Sequence, residues 1–132
     1  MKAGLKVFFW CALILALCGL SSGFSIKVSQ IDGSAPSFKL GRIGLLHAGN
    51  EVEINTFLVV SKNVSGQWDY KNPMWAFKVD PGSSKPLAHV MYGSLPNGFE
   101  ETAKASSLVS GTRYLVVGLS PGSSGSAEFV DR

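Results

Sequence analysis

Beyond residue 23 the chain is a series of short runs in which apolar side chains recur at every second position. Successive side chains on an extended strand point to opposite faces, so this spacing builds strands with one buried face and does not suit a helix. The clearest run is Glu51 to Ser61: Val52, Ile54, Leu58 and Val60 share one face, and Glu51, Glu53 and Asn55 take the other. Phe24, Ile26 and Val28 alternate ahead of the turn pair Asp32-Gly33. Trp75, Phe77 and Val79 alternate with Ala76 and Lys78 before Asp80-Pro81-Gly82 breaks the run. Phe38 to Leu46, His89 to Tyr92, Tyr114 to Leu119 and Ala127 to Val130 complete the set, the last two flanking the loop Ser120 to Ser126. Gly98 to Leu108 holds several helix formers, but its apolar positions do not line one face, so it reads as loop or strand with one helical turn. Runs of this length and spacing predict an all-β chain, an antiparallel β-sandwich of about seven or eight strands.

The N-terminus follows a different pattern. Lys2 and Lys6 precede an unbroken apolar run from Val7 to Leu17, and small residues follow from Gly19 to Gly23. A basic start, a short apolar middle and a small-residue exit form a secretory signal. The run falls short of the roughly 20 residues that cross a bilayer, so it reads as a signal rather than a retained anchor. Two cut points remain open. Ser21 and Gly23 offer small side chains where a signal peptidase reads, which gives a leader of residues 1–23 and makes Phe24 the first mature residue. Leu15-Ala16-Leu17-Cys18 instead resembles the bacterial lipobox, with Leu17 where that pattern has a small residue. That resemblance implies a leader of residues 1–17, lipid on Cys18 and, with Gly19 next, direction to an outer membrane. Residues 24–132 are expected to form one sandwich domain, exported to the periplasm or lipid-anchored at the outer membrane of a bacterial cell.

The leader also changes the bulk numbers. Lys2 and Lys6 belong to it, so the formal charge of +3 falls to +1 for the remainder, whose basic residues are scattered singly. A nucleic-acid partner therefore has no support. A cut after Gly23 also removes Cys11 and Cys18, the only cysteines. Stability must then come from an apolar core without disulfides, which fits a bacterial source better than an animal one. Asn63-Val64-Ser65 matches the glycosylation sequon, a triplet common by chance.

Within the last third, Leu108-Val109-Ser110-Gly111-Thr112-Arg113-Tyr114-Leu115-Val116 resembles the tyrosine-corner segment of fibronectin type III and related immunoglobulin-like domains, with Ser110 where the family often has Pro. The resemblance implies an immunoglobulin-like sandwich in which Gly111 and Thr112 turn the chain and the Tyr114 hydroxyl reaches back to an upstream backbone group. Trp75 is then a candidate for the core tryptophan of such a sandwich, with Phe77 beside it in the core. The segment from Trp75 to Val130 is also similar to a set of small bacterial exported proteins and lipoproteins. The shared cadence is Trp75-x-Phe77, Val90-Met91-Tyr92-Gly93, Pro96-Asn97-Gly98-Phe99, Gly111-x-x-Tyr114 and Gly125-Ser126-Ala127-x-Phe129. It implies no activity.

Catalytic patterns are lacking. A serine nucleophile needs a positioned base, and the histidines are only His47 and His89. Ser126 stands where a nucleophile elbow around the 122–126 loop would need glycine. No His-x-His or Glu-x-x-His spacing suggests a metal, and Glu51 with Glu53, like Glu100 with Glu101, reads as a solvated carboxylate pair. No cofactor is expected, and the chain reads as a non-enzyme. The one hint of binding is the segment from Trp68 to Trp75, where Trp68 and Tyr70 would project to the same side of an extended loop as anchors for a protein or a sugar. The alternative is that they pack over the sandwich. The expected function is a non-catalytic protein-binding module of the cell envelope, with the general profile of small envelope immunity proteins that neutralise toxins. A carbohydrate- or cell-wall-binding domain using Trp68 and Tyr70 is the alternative, and an enzyme is third. Membrane contact is expected only through lipid on Cys18.

Overall fold

The computed structural model describes residues 23–42 and 51–132, so Cys18 with the leader through residue 22, and His47, lie outside the described residues. Ten strands and no helix occur among the described residues. In chain order the first five are β1 (Phe24–Ser29), β2 (Ser37–Arg42), β3 (Val52–Ile54), β4 (Thr56–Ser61) and β5 (Trp75–Lys78). They are followed by β6 (Lys85–Leu87), β7 (His89–Met91), β8 (Glu100–Ala103), β9 (Arg113–Ser120) and β10 (Ser123–Val130). All pairings are antiparallel, in a three-stranded sheet β1-β2-β7, a five-stranded sheet β10-β9-β4-β5-β8 and a two-stranded sheet β3-β6. The layers are sandwich-like, with the main core between the three- and five-stranded sheets.

The strand count exceeds the seven or eight expected, largely because two extended segments bend. The run Glu51 to Ser61 breaks at Asn55 into β3 and β4. There the Asn55 N–H donates to the Leu119 carbonyl at 2.8 Å, and the Asn55 carbonyl accepts from Val79 N–H at 2.9 Å. The Asn55 amide also donates to the carbonyls of Ser83 at 2.8 Å and Asp80 at 3.2 Å, fixing the bend against the following loop. A second bend at Ala88 separates β6 from β7. Each bend passes its strand between layers: β3 pairs with β6, whereas β4 joins β5 and β9 and β7 joins β2. Corners of this kind let one strand serve two sheets. Residues 100–103, within the segment read as loop or strand with one helical turn, form β8 on the edge beside β5.

The central strands are buried on both faces, as their unbroken apolar stretches require. Phe57 and Val59 of β4 and Val116 of β9 face the main core with Trp75, Phe77, Tyr114 and Phe129. Leu58 and Val60 of β4, with Ala76, Leu115 and Val117, form a second apolar layer on the outer face of the same sheet. Phe57 stacks on Phe77 with ring centres 5.0 Å apart, and Trp75 meets Phe77 edge-on at 5.1 Å, geometries that add to simple burial. Opposite glycines Gly118 and Gly125 form a slot for the Phe24 ring: a Cβ on Gly118 would stand 2.9 Å from Phe24 Cζ. Gly23 lies just before this buried first residue of β1.

Tyr114 sits at the start of β9, 1% exposed, and its hydroxyl accepts the Val109 N–H at 2.8 Å. Gly111 makes the intervening turn at φ +84°, which side-chain-bearing residues rarely adopt. Tyr114→Phe is expected to cost about 1 kcal/mol by removing that acceptor, and Tyr114→Ala about 3–5 kcal/mol by emptying the core. Urea unfolding of both variants checks the order; equal losses would mean that the hydroxyl, not the ring, carries the contribution.

Candidate functional site

The aromatic segment forms the returning arm of a hairpin that extends β4. Lys62 pairs with Trp68 across it, and Asn63 N–H donates to the Gln67 carbonyl at 2.7 Å. At its tip the Asn63 side-chain oxygen accepts the N–H groups of Ser65 at 2.9 Å and Gln67 at 3.1 Å, an Asx-type turn. The arm carries Trp68 and Tyr70 back over the larger sheet, where both are half-buried against Leu58, Val60, Leu115 and Val117. The Lys62 ammonium stands 5.2 Å from the Trp68 ring centre. The two aromatics thus cover the second apolar layer. Stacking a sugar needs an open ring face, and Trp68 is engaged both by that layer and by Lys62.

Trp75 and Phe77 are fully buried in the main core. A buried indole needs an acceptor, and Trp75 Nε1–H donates to Glu101 Oε2 at 2.8 Å. Glu101 therefore seats a core side chain instead of sharing the solvated role of Glu100. The Tyr92 hydroxyl donates to the Ser106 carbonyl at 2.6 Å, with the Met74 carbonyl at 3.2 Å, while Ser106 N–H donates to Met74. One phenol thus ties the approach to β5 to the segment after β8. Burial, with the neighbouring Tyr114 second, pushes the Tyr92 hydroxyl from 10.0 up to about 12.

Glu51 and Glu53 are exposed on the polar side of β3 and its approach, and Glu53 accepts the Ser84 hydroxyl at 2.8 Å. Among the described residues no group of three or more His, Cys, Asp or Glu side chains could hold a metal ion. His89 is exposed on β7.

One end of the sandwich gathers residues that are far apart in the sequence. Register places Ser29, Ser37 and Met91 in one row across the smaller sheet, and Ser61 with Tyr114 and Arg113 with Val130 at the corresponding end of the larger one. Gln30 clasps the two sheets there: its amide donates to Asp131 Oδ1 at 2.7 Å, and its oxygen accepts Arg132 N–H at 3.0 Å. Loops 30–36, 62–67 and 104–112 leave from this end. Among the described residues the exposed large apolar side chains are Ile31, Val64, Met91, Leu95, Val109 and Val130. All but Leu95 belong to this end. Each is isolated in sequence, so no motif could have pointed to the rim; only strand register collects them.

Comparison with protein-family models, with curated proteins and with solved structures returns no match.

Because the folded state holds the Tyr92 proton more tightly than the unfolded chain, its contribution to stability is full below pH 10 and is lost as pH rises through about 12. Urea midpoints measured between pH 9 and 12 should therefore fall less steeply with pH in Tyr92→Phe than in the parent. Parallel slopes would show that Tyr92 does not titrate in this way.

Proposed function

We propose that residues 24–132 form a fibronectin type III- or immunoglobulin-like sandwich that acts as a non-catalytic protein-binding module in the bacterial cell envelope. The order β1-β2-β7 in one sheet, with β10-β9-β4 as part of the five-stranded other, supports this reading, being similar to the A-B-E and C-F-G strand groups of such domains. The contact from the Tyr114 hydroxyl to Val109 supports it further.

The binding reading is carried by the apolar rim. Exposed apolar residues scattered singly are ordinary, but Ile31, Val64, Val109 and Val130 share one end of the molecule, and a gathered apolar surface marks an interaction site. The chain enters β1 at the opposite end, so a tether on the preceding segment leaves this rim free to meet a partner. Ile31→Glu with Val109→Glu should abolish capture of a partner from envelope extract while the unfolding midpoint stays within experimental error, because both side chains are exposed. Equal recovery by parent and variant, or no specific recovery by either, would overturn the rim as the binding site.

Export by the leader, with lipid on Cys18 as the mature N-terminus, completes the proposal. Metabolic labelling with a lipid analogue should mark the parent and not Cys18→Ala. Incorporation that survives the substitution rules out that anchor.

A further inference from the structure

We infer that the outer face of the β1-β2-β7 sheet docks on an anionic phospholipid surface, beside the proposed lipid anchor at Cys18, on which this orientation rests. Phe24, Ile26 and Val28 of β1 and Phe38 and Leu40 of β2 point toward the core or its margin. Alternation therefore turns Ser25, Lys27 and Ser29, and Ser37, Lys39 and Gly41, to the outside, and β7 adds His89 and Met91. None of these positions carries a carboxylate. Register sets Lys27 directly opposite Lys39, and Lys39 directly opposite His89, all three exposed. Arg42, also exposed, closes a shallow depression of about 250 Å³ that it lines with Ser25, Lys27 and Lys39. Basic residues scattered along the sequence are thus gathered by strand pairing into one row.

Like charges directly opposite each other across a ladder destabilise it. Within the described residues the ion pair formed is Arg113 with Glu128, on the other sheet. The row therefore has uncompensated positive charge that external anions can offset. Lysine heads are compact charges without the planar fork that selects a bidentate carboxylate, and they are spread over a flat sheet face. That suits dispersed headgroup phosphates better than an acidic peptide. Chain geometry points the same way. Nine residues lead from Cys18 to Lys27, a reach of at most about 30 Å, so a lipid on Cys18 keeps Lys27 within that distance of the bilayer. Juxtamembrane basic residues then add about fivefold each to retention, about thirtyfold for two, and the gain is lost in salt.

The test uses the full-length protein with phosphatidylcholine vesicles, with and without phosphatidylglycerol, followed by flotation and amine acetylation read by mass spectrometry. Lys62 and Lys71, on the hairpin over the other sheet, serve as internal references. The expected result is flotation with both vesicles and at least fivefold slower acetylation of Lys27 and Lys39 only with phosphatidylglycerol, reversed by 0.5 M salt (a concentration at which the screening length falls to about 4 Å). Flotation with phosphatidylglycerol alone, lost in Lys27→Ser with Lys39→Ser, would remove the anchor and keep the patch. Flotation without selective protection, or no flotation with either vesicle, overturns the patch.

Discussion

Burial of β4 and β9 on both faces is the constraint that the rest of the structure meets. Phe57-Leu58-Val59-Val60 and Leu115-Val116-Val117 leave neither strand a polar side, so an open sandwich with one wet face per sheet would expose Leu58, Val60, Leu115 and Val117. The three-stranded sheet covers one side. The other is closed by the hairpin after β4, whose Trp68 and Tyr70 lie on the second layer. The hairpin aromatics are therefore understood first as cover for apolar surface, at about 25 cal/mol for each Å² removed from water.

Polar contacts give this apolar interior a single arrangement. The Trp75 indole donates to Glu101, the Tyr114 hydroxyl accepts from Val109, and the Tyr92 hydroxyl donates to Ser106. The first joins a core ring to the edge strand β8, and the other two join rings to the segment 104–112, which the ladders do not hold. An aromatic ring with a satisfied polar handle can rotate less freely than a purely apolar one, and an unsatisfied handle would cost about 1–3 kcal/mol. The interior is thus oily in content and specific in orientation. The outside divides by location: an apolar rim at one end, and a basic row on the face of the smaller sheet.

How much was legible in the sequence depended on whether a feature was local. Period-two spacing marked most of the long strands, and Gly111 with Tyr114 marked the start of β9. The bend at Asn55 was hidden, because the apolar alternation of Val52, Ile54, Leu58 and Val60 runs straight through it. In the fold, Val52 and Ile54 face the main core, whereas Leu58 and Val60 face the second layer. The apparent shared face was two different faces joined by a corner. Glu101 was misjudged for a related reason. Its neighbour Glu100 is exposed, and only cross-strand pairing with Phe77 brings Glu101 to the Trp75 indole.

The sequence by itself determined the strand-forming segments, the turns at glycine and the apolar demand of β4 and β9, since these depend on side-chain alternation and backbone preference within a few residues. The tertiary structure alone decided which faces those strands show, that Trp68 and Tyr70 serve as a cover, that Ile31, Val109 and Val130 meet at one end, and that Lys27 stands opposite Lys39. Those outcomes depend on register and on bends between layers. Both are set by how distant segments share a core, which no local run of residues encodes.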